Sequence, residues 1–106
     1  MKKIYNKLVR DRIPEIIAAD GKTCDTRILS LDEYKKALDA KLVEELEEYE
    51  EASDVHELAD IQEIIDAIVA AKGLTQEEFD EIKHAKAKTN GGFSKRIFLI
   101  SVEDKK

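Results

Sequence analysis

The chain has 106 residues, 42% hydrophobic and 40% charged, with a net charge of −6 and no tryptophan. That length gives one domain spanning residues 1–106, with a modest aliphatic core, and excludes two ordinary domains. The lone cysteine, Cys24, forms no internal disulfide, and neither a leader pattern nor an apolar run of about 18 residues appears, so the reading is a cytoplasmic chain with no membrane segment.

In chain order, the opening "MKKIYNKLVRDRIPEIIAADGK" turns helical at Pro14, because proline's missing N–H costs nothing in a first helical turn. A short helix over 13–19 ends at Asp20-Gly21. "TCDTRIL" then reads as a short extended segment, near 24–29. Ser30 and Glu33 have capping-box spacing, which starts a long helix running to Ala52. Asp54 caps a third helix that Gly73 closes after Lys72, and Thr75 with Glu78 opens a fourth that reaches Thr89. The glycines of "NGG" break it. Ile97, Phe98, Leu99, Ile100 and Val102 read as a strand over 96–102 that pairs with the one near 24–29. The expected fold is therefore mainly α, an antiparallel helical bundle with a small β-element, its core completed by a homodimer or homotetramer.

Charge is distributed unevenly. Residues 1–30 carry seven Lys/Arg against four Asp/Glu, 31–72 carry four against fourteen, and 73–106 carry seven against six. An acidic middle argues against a nucleic-acid polymer as partner, which would require a basic face. It suits a cation site.

Helical wheels ask which acids point inward. With Leu38 at zero and about 100° per residue, Leu31, Tyr34, Leu42, Leu46, Tyr49 and Ala52 fall within about −40° to +80°, and Glu45 lands at about −20°, inside the apolar stripe. Glu48 lies on the border at about −80°, Glu44 further out, and Glu47, Glu50 and Glu51 face away. In the third helix, with Leu58 at zero, Ile61, Ile64, Ile65, Ile68 and Val69 span about −120° to +20°; Glu57 falls inside that arc at about −100°, and Asp60 at its edge. A very short turn between the helices makes them antiparallel, so the pairs Glu45/Glu48 and Glu57/Asp60 share one interface. Like charges in a low-dielectric seam need a positive partner. Carboxylates without His or Cys favour Mg²⁺, or Mn²⁺, and such an acidic pocket suggests phosphoryl chemistry. The bland alternatives are a solvated acidic face and, for Glu57, a capping partner of Asp54.

"KLVEELEE" followed by "ELAD" resembles the motif pair of the all-α nucleoside triphosphate pyrophosphohydrolase superfamily, the MazG-like and phosphoribosyl-ATP pyrophosphatase-like proteins. "YNKLVRDRIPEII", "LDEYKKAL" and the segment around "GGFSKRI" are similar to a phosphoribosyl-ATP pyrophosphatase-like branch, so the resemblance spans nearly the whole chain. It implies Mg²⁺-dependent hydrolysis of a nucleoside triphosphate between the α and β phosphates. It also implies that Glu45, Glu48, Glu57 and Asp60 bind metal, with Glu44 the acid beside them. Asn90 stands before "GGF" where the resemblance leads one to expect a basic residue, and the gap between the motifs is short.

A triphosphate also needs cationic side chains. The candidates for substrate binding are Lys7, Arg10 and Arg12 near the start, and Lys88, Lys95 and Arg96 near the glycine pair. Glu44 or Glu48 orients or deprotonates the attacking water, making Glu44, Glu45 and Glu48 the catalytic group. Two other readings stay open: hydrolysis of phosphoribosyl-ATP, and a noncatalytic acidic interaction module.

Overall fold

A computed structural model of the chain describes residues 1–104 and contains four helices in the order α1 (Ile13–Ala19), α2 (Leu31–Ala52), α3 (Val55–Ala71) and α4 (Gln76–Asn90). Local capping chemistry sets nearly every boundary. The Ser30 hydroxyl accepts from the Glu33 N–H while the Glu33 side chain accepts from the Ser30 N–H, and Thr75 and Glu78 repeat the exchange at the start of α4. Asp54 accepts from the His56 N–H at 2.9 Å and caps α3. Both α1 and α3 end in the same glycine motif: Gly73, at φ +87°, donates to Ala70 O while Leu74 donates to Val69 O, and Gly21 and Lys22 do likewise at α1.

The helices pack unequally. α2 lies against α3, α4 touches only α3, and α1 packs on no other helix. The core at the α2/α3 seam is small: Leu38, Ile61, Ile64 and Val69 are its buried apolar residues. Leu31 (59% exposed) and Leu46 (47%) lie outside it, although the wheel assigns both to the buried face. Leu31 is the first residue of α2, and Leu46 is rotated to the flank of the seam, where a single neighbouring helix does not reach.

The expected β-element is absent. Among the described residues there is no strand, either near 24–29 or over 96–102, and no backbone hydrogen bond joins the two segments. A strand exists only by pairing, and an isolated pair of short strands holds little stability without an apolar face to rest on. Here Ile28 (96% exposed) and the run Ile97–Ile100 have nothing beneath them. The molecule is mainly α and elongated, 70 × 32 × 21 Å. No helix among the described residues is long and apolar enough to cross a membrane.

Candidate metal centre

The turn at 53–54 brings the acidic motifs together. Ser53 takes the left-handed conformation (φ +52°), its N–H donates to Tyr49 O at 2.7 Å, and α3 starts two residues later. Glu45 therefore faces the first turns of α3. It is 7% exposed, the buried charged residue of the seam, as its place in the apolar stripe requires.

Two carboxylate groups share Glu45. One oxygen each from Glu44, Glu45 and Glu48 lie within 4.8 Å of one another, and so do one each from Glu45, Glu57 and Asp60. Glu57 and Asp60 are half-buried, while Glu48 is exposed at the rim rather than turned inward. Glu47, Glu50 and Glu51 are exposed and outside both groups. Glu57 is not spent on the cap: Asp54 satisfies the His56 N–H, and the reciprocal bond from the Asp54 N–H to Glu57 is missing.

Among the described residues, the buried Oε2 of Glu45 and Oε2 of Glu57 have no hydrogen-bond partner. An unpartnered buried carboxylate oxygen costs about 1–3 kcal/mol or more, so native proteins rarely keep one without a reason. Burial raises the Glu45 pKa above the ordinary carboxylate value and the nearby Glu48 adds to the rise, with Lys41 opposing it; burial, Glu45, Asp60 and Asp54 raise that of Glu57. Both carboxyls resist ionising where they stand. A divalent cation among them reverses that preference, and the all-oxygen donor set matches Mg²⁺ or Mn²⁺.

Cations already line the rim. The Lys7 ammonium donates to Glu44 Oε1 at 3.1 Å and the Arg10 guanidinium to Asp60 Oδ1 at 2.6 Å, so residues 1–12 form a strap tied to both helices of the hairpin. Lys7 pulls the Glu44 pKa down, and Glu44 in turn raises that of Lys7. Lys41, absent from the sequence reasoning, sits 3.5 Å from both Glu44 and Glu45. Its signal is the i, i+3 and i, i+4 spacing to those acids. A cleft of about 130 Å³ opens beside it, lined by Asn6, Lys7, Leu8, Ala37, Ala40 and Glu44 along with Lys41 itself.

The other candidate cations are elsewhere. Arg12 pairs with Glu15 across the start of α1, at 3.3 Å. Lys88 lies in the last turn of α4, Lys95 and Arg96 lie beyond it, all are exposed, and none forms an ion pair among the described residues. Of six cations selected by sequence, the fold delivers Lys7 and Arg10 to the acids.

No family model and no solved structure matches the chain. A curated protein of Mycolicibacterium smegmatis (strain ATCC 700084 / mc(2)155), described as an uncharacterized protein, is 64% identical over 42 residues, 40% of this chain and 43% of that protein. The chain thus spans less than half the length of the curated relative it matches.

Proposed function

We propose that the chain is a divalent-cation-dependent nucleoside triphosphate pyrophosphohydrolase, cleaving between the α and β phosphates to give a monophosphate and pyrophosphate. One observation carries the reading: buried, unpartnered oxygens of Glu45 and Glu57 stand in a carboxylate cluster whose rim holds Lys7 and Arg10. A merely solvated acidic face would bury neither oxygen.

Glu45, Glu57 and Asp60, whose oxygens gather in one group, and Glu48 in the adjoining group would hold the cation. When bound, it supplies Lewis-acid polarisation of the phosphoanhydride and neutralises its charge. Arg10 and Lys7 bind phosphate oxygens, trading their present carboxylate partners for the substrate's, and Arg10 offers a planar fork suited to two oxygens at once. Glu44, held by Lys7 and Lys41, stays ionised and orients. Glu48, exposed at the rim, would bind the cation through one carboxylate oxygen and take the proton of the attacking water on the other. No covalent intermediate is required.

A panel of nucleoside triphosphates with Mg²⁺, read as pyrophosphate release, tests the proposal alongside Glu45→Gln. Turnover of at least one nucleotide, lost in the variant, supports it. Release from phosphoribosyl-ATP alone would move the reaction to that substrate. A silent panel, with thermal melts that Mg²⁺ does not shift, would leave an acidic interaction module instead.

A further inference from the structure

The two carboxylate groups that share Glu45 are not equivalent. The inner one, Glu45 with Glu57 and Asp60, contains both orphaned buried oxygens, Oε2 of Glu45 and Oε2 of Glu57, on side chains from the two facing helices. Glu45 is 7% exposed, so its free oxygen has little recourse to water. The outer one, Glu44 with Glu45 and Glu48, already has cations on it. Lys7 donates to Glu44 Oε1 at 3.1 Å, and Lys41 lies 3.5 Å from both Glu44 Oε2 and Glu45 Oε1. Both oxygens of Glu44 and one of Glu45 therefore have an ammonium partner. The Lys41 side chain is 17% exposed, and an ammonium held that far from water needs those acids as much as they need it.

Access does not disfavour the outer group, because the cleft of about 130 Å³ opens directly on Lys7, Lys41 and Glu44. Charge does. The carboxylates Glu44, Glu45, Glu48, Glu57 and Asp60 face the cations Lys7, Arg10 and Lys41, which leaves a formal surplus of two negative charges, the charge of one divalent ion. A second divalent ion would turn the cluster net positive in a partly desolvated place. An ion ligated by Glu44 would also need oxygens that already face ammonium groups, and both ammonium groups would repel it at close range. Apart from Lys41 on the shared Glu45, the cationic contact of the inner group is Arg10 on Asp60, from a side chain 55% exposed.

The structure assigns a single divalent ion to the inner group, and makes the Lys7 and Lys41 ammonium groups the standing substitute for a second ion at the outer one. Glu48, which no cation pairs among the described residues, stays available to that ion from the outer group. Glu44 is then a partner of ammonium groups and not a metal ligand. One of those ammonium groups arrives on the strap, so the number of ions the hairpin takes depends on residues 1–12 lying where they do. The assignment rests on the cation reading proposed above but not on the nucleotide, and its test counts ions instead of turnover.

Mn²⁺, a paramagnetic stand-in for Mg²⁺ with the same preference for carboxylate oxygen, allows the count without any nucleotide. The electron spin resonance signal of the free ion is followed as Mn²⁺ is added to the full chain, and one ion per chain is expected. Lys7→Met combined with Lys41→Met should bind two, and adding Glu44→Gln to that pair should return the count to one. Should the double variant lose its helical circular dichroism, single substitutions decide. Glu57→Gln weakens Mn²⁺ binding at least about tenfold, whereas Glu44→Gln weakens it by no more than about threefold, the effect of a partly exposed charge nearby. Two ions on the unaltered chain, one ion on a folded double variant, or equal losses from Glu44→Gln and Glu57→Gln would overturn the assignment and leave the proposed reaction untouched. A chain that takes up no ion would remove the cation reading and this assignment together. One bound ion with a silent nucleotide panel would remove the reaction and leave the assignment standing.

Discussion

The two ends of the chain start from similar material and fare differently. The first twelve residues carry Lys7, Arg10 and Arg12, the segment after α4 carries Lys95 and Arg96, and neither segment is helical among the described residues. The first twelve residues nevertheless lie on the acidic hairpin, with Lys7 on Glu44, Arg10 on Asp60 and Leu8 half-buried. The segment after α4 touches no acid of the site, and Phe93 and Phe98 are 98% and 87% exposed. Basic charge alone does not place a segment. The strap has two specific carboxylate partners and an apolar foot, whereas the C-terminal segment has apolar residues on both faces of its extended run and nothing to cover either.

The difference between strap and tail can be put to measurement. The largest effect is expected at the acids themselves: Glu45→Gln lowers turnover about 100-fold or more. The same variant raises metal-free stability by about 1–2 kcal/mol, read in denaturant melts, since it removes a charge the seam disfavours. Loss of activity with lower stability would instead mark Glu45 as a structural residue.

Next come the cations. Arg10→Ala raises KM for the nucleotide about tenfold, the worth of one charge-assisted hydrogen bond. Arg96→Ala, compared in the same steady-state assay, shows a smaller change. Equal effects would mean that the C-terminal segment reaches the acids in the working assembly, and the contrast between the ends would fail.

The pH response separates strap from seam. Glu44, its pKa lowered by Lys7, contributes stability that is present above the ordinary carboxylate value of 4.5 and lost as pH falls through its depressed folded value. Glu45 and Glu57, their pKa values raised, behave oppositely: in metal-free protein the seam gains stability as pH falls through their raised values toward 4.5. Thermal melts should therefore rise on mild acidification from neutral pH, while amide shifts of residues 1–12 report strap release only at more acid pH. A fall in melting temperature over the first interval would contradict the burial of both carboxyls. The smallest effect is that of Leu8→Ala, which loosens the strap by about 1 kcal/mol and speeds limited proteolysis before α1.

The helices were legible in the sequence because their ends are written locally. Ser30/Glu33, Asp54, Thr75/Glu78 and the glycines at 21 and 73 each act within a few residues of themselves, so no tertiary information is needed. Glu45 was legible for a related reason, since an acid inside an apolar stripe conflicts with the period around it. What the sequence could not resolve depends on distant partners. Residues 96–102 have the composition of a strand, but a strand is a relation between two segments. Leu31 and Leu46 have the periodicity of core residues, but α3 covers only one arc of α2. Lys41 escaped notice because its role appears only once Glu44 and Glu45 are known to need a neighbour.

Ser53 sets a clock for the whole site. With its backbone left-handed and Asp54 the only residue between it and α3, the hairpin has no slack to absorb a change in length. One inserted residue would turn α3 by about 100° and swing Glu57 out of alignment with Glu45, whereas three or four, close to a full turn, would restore the phase. Viable versions of this connection should thus differ in steps of a helical turn, and a single-residue insertion library across it would show activity returning with that rhythm.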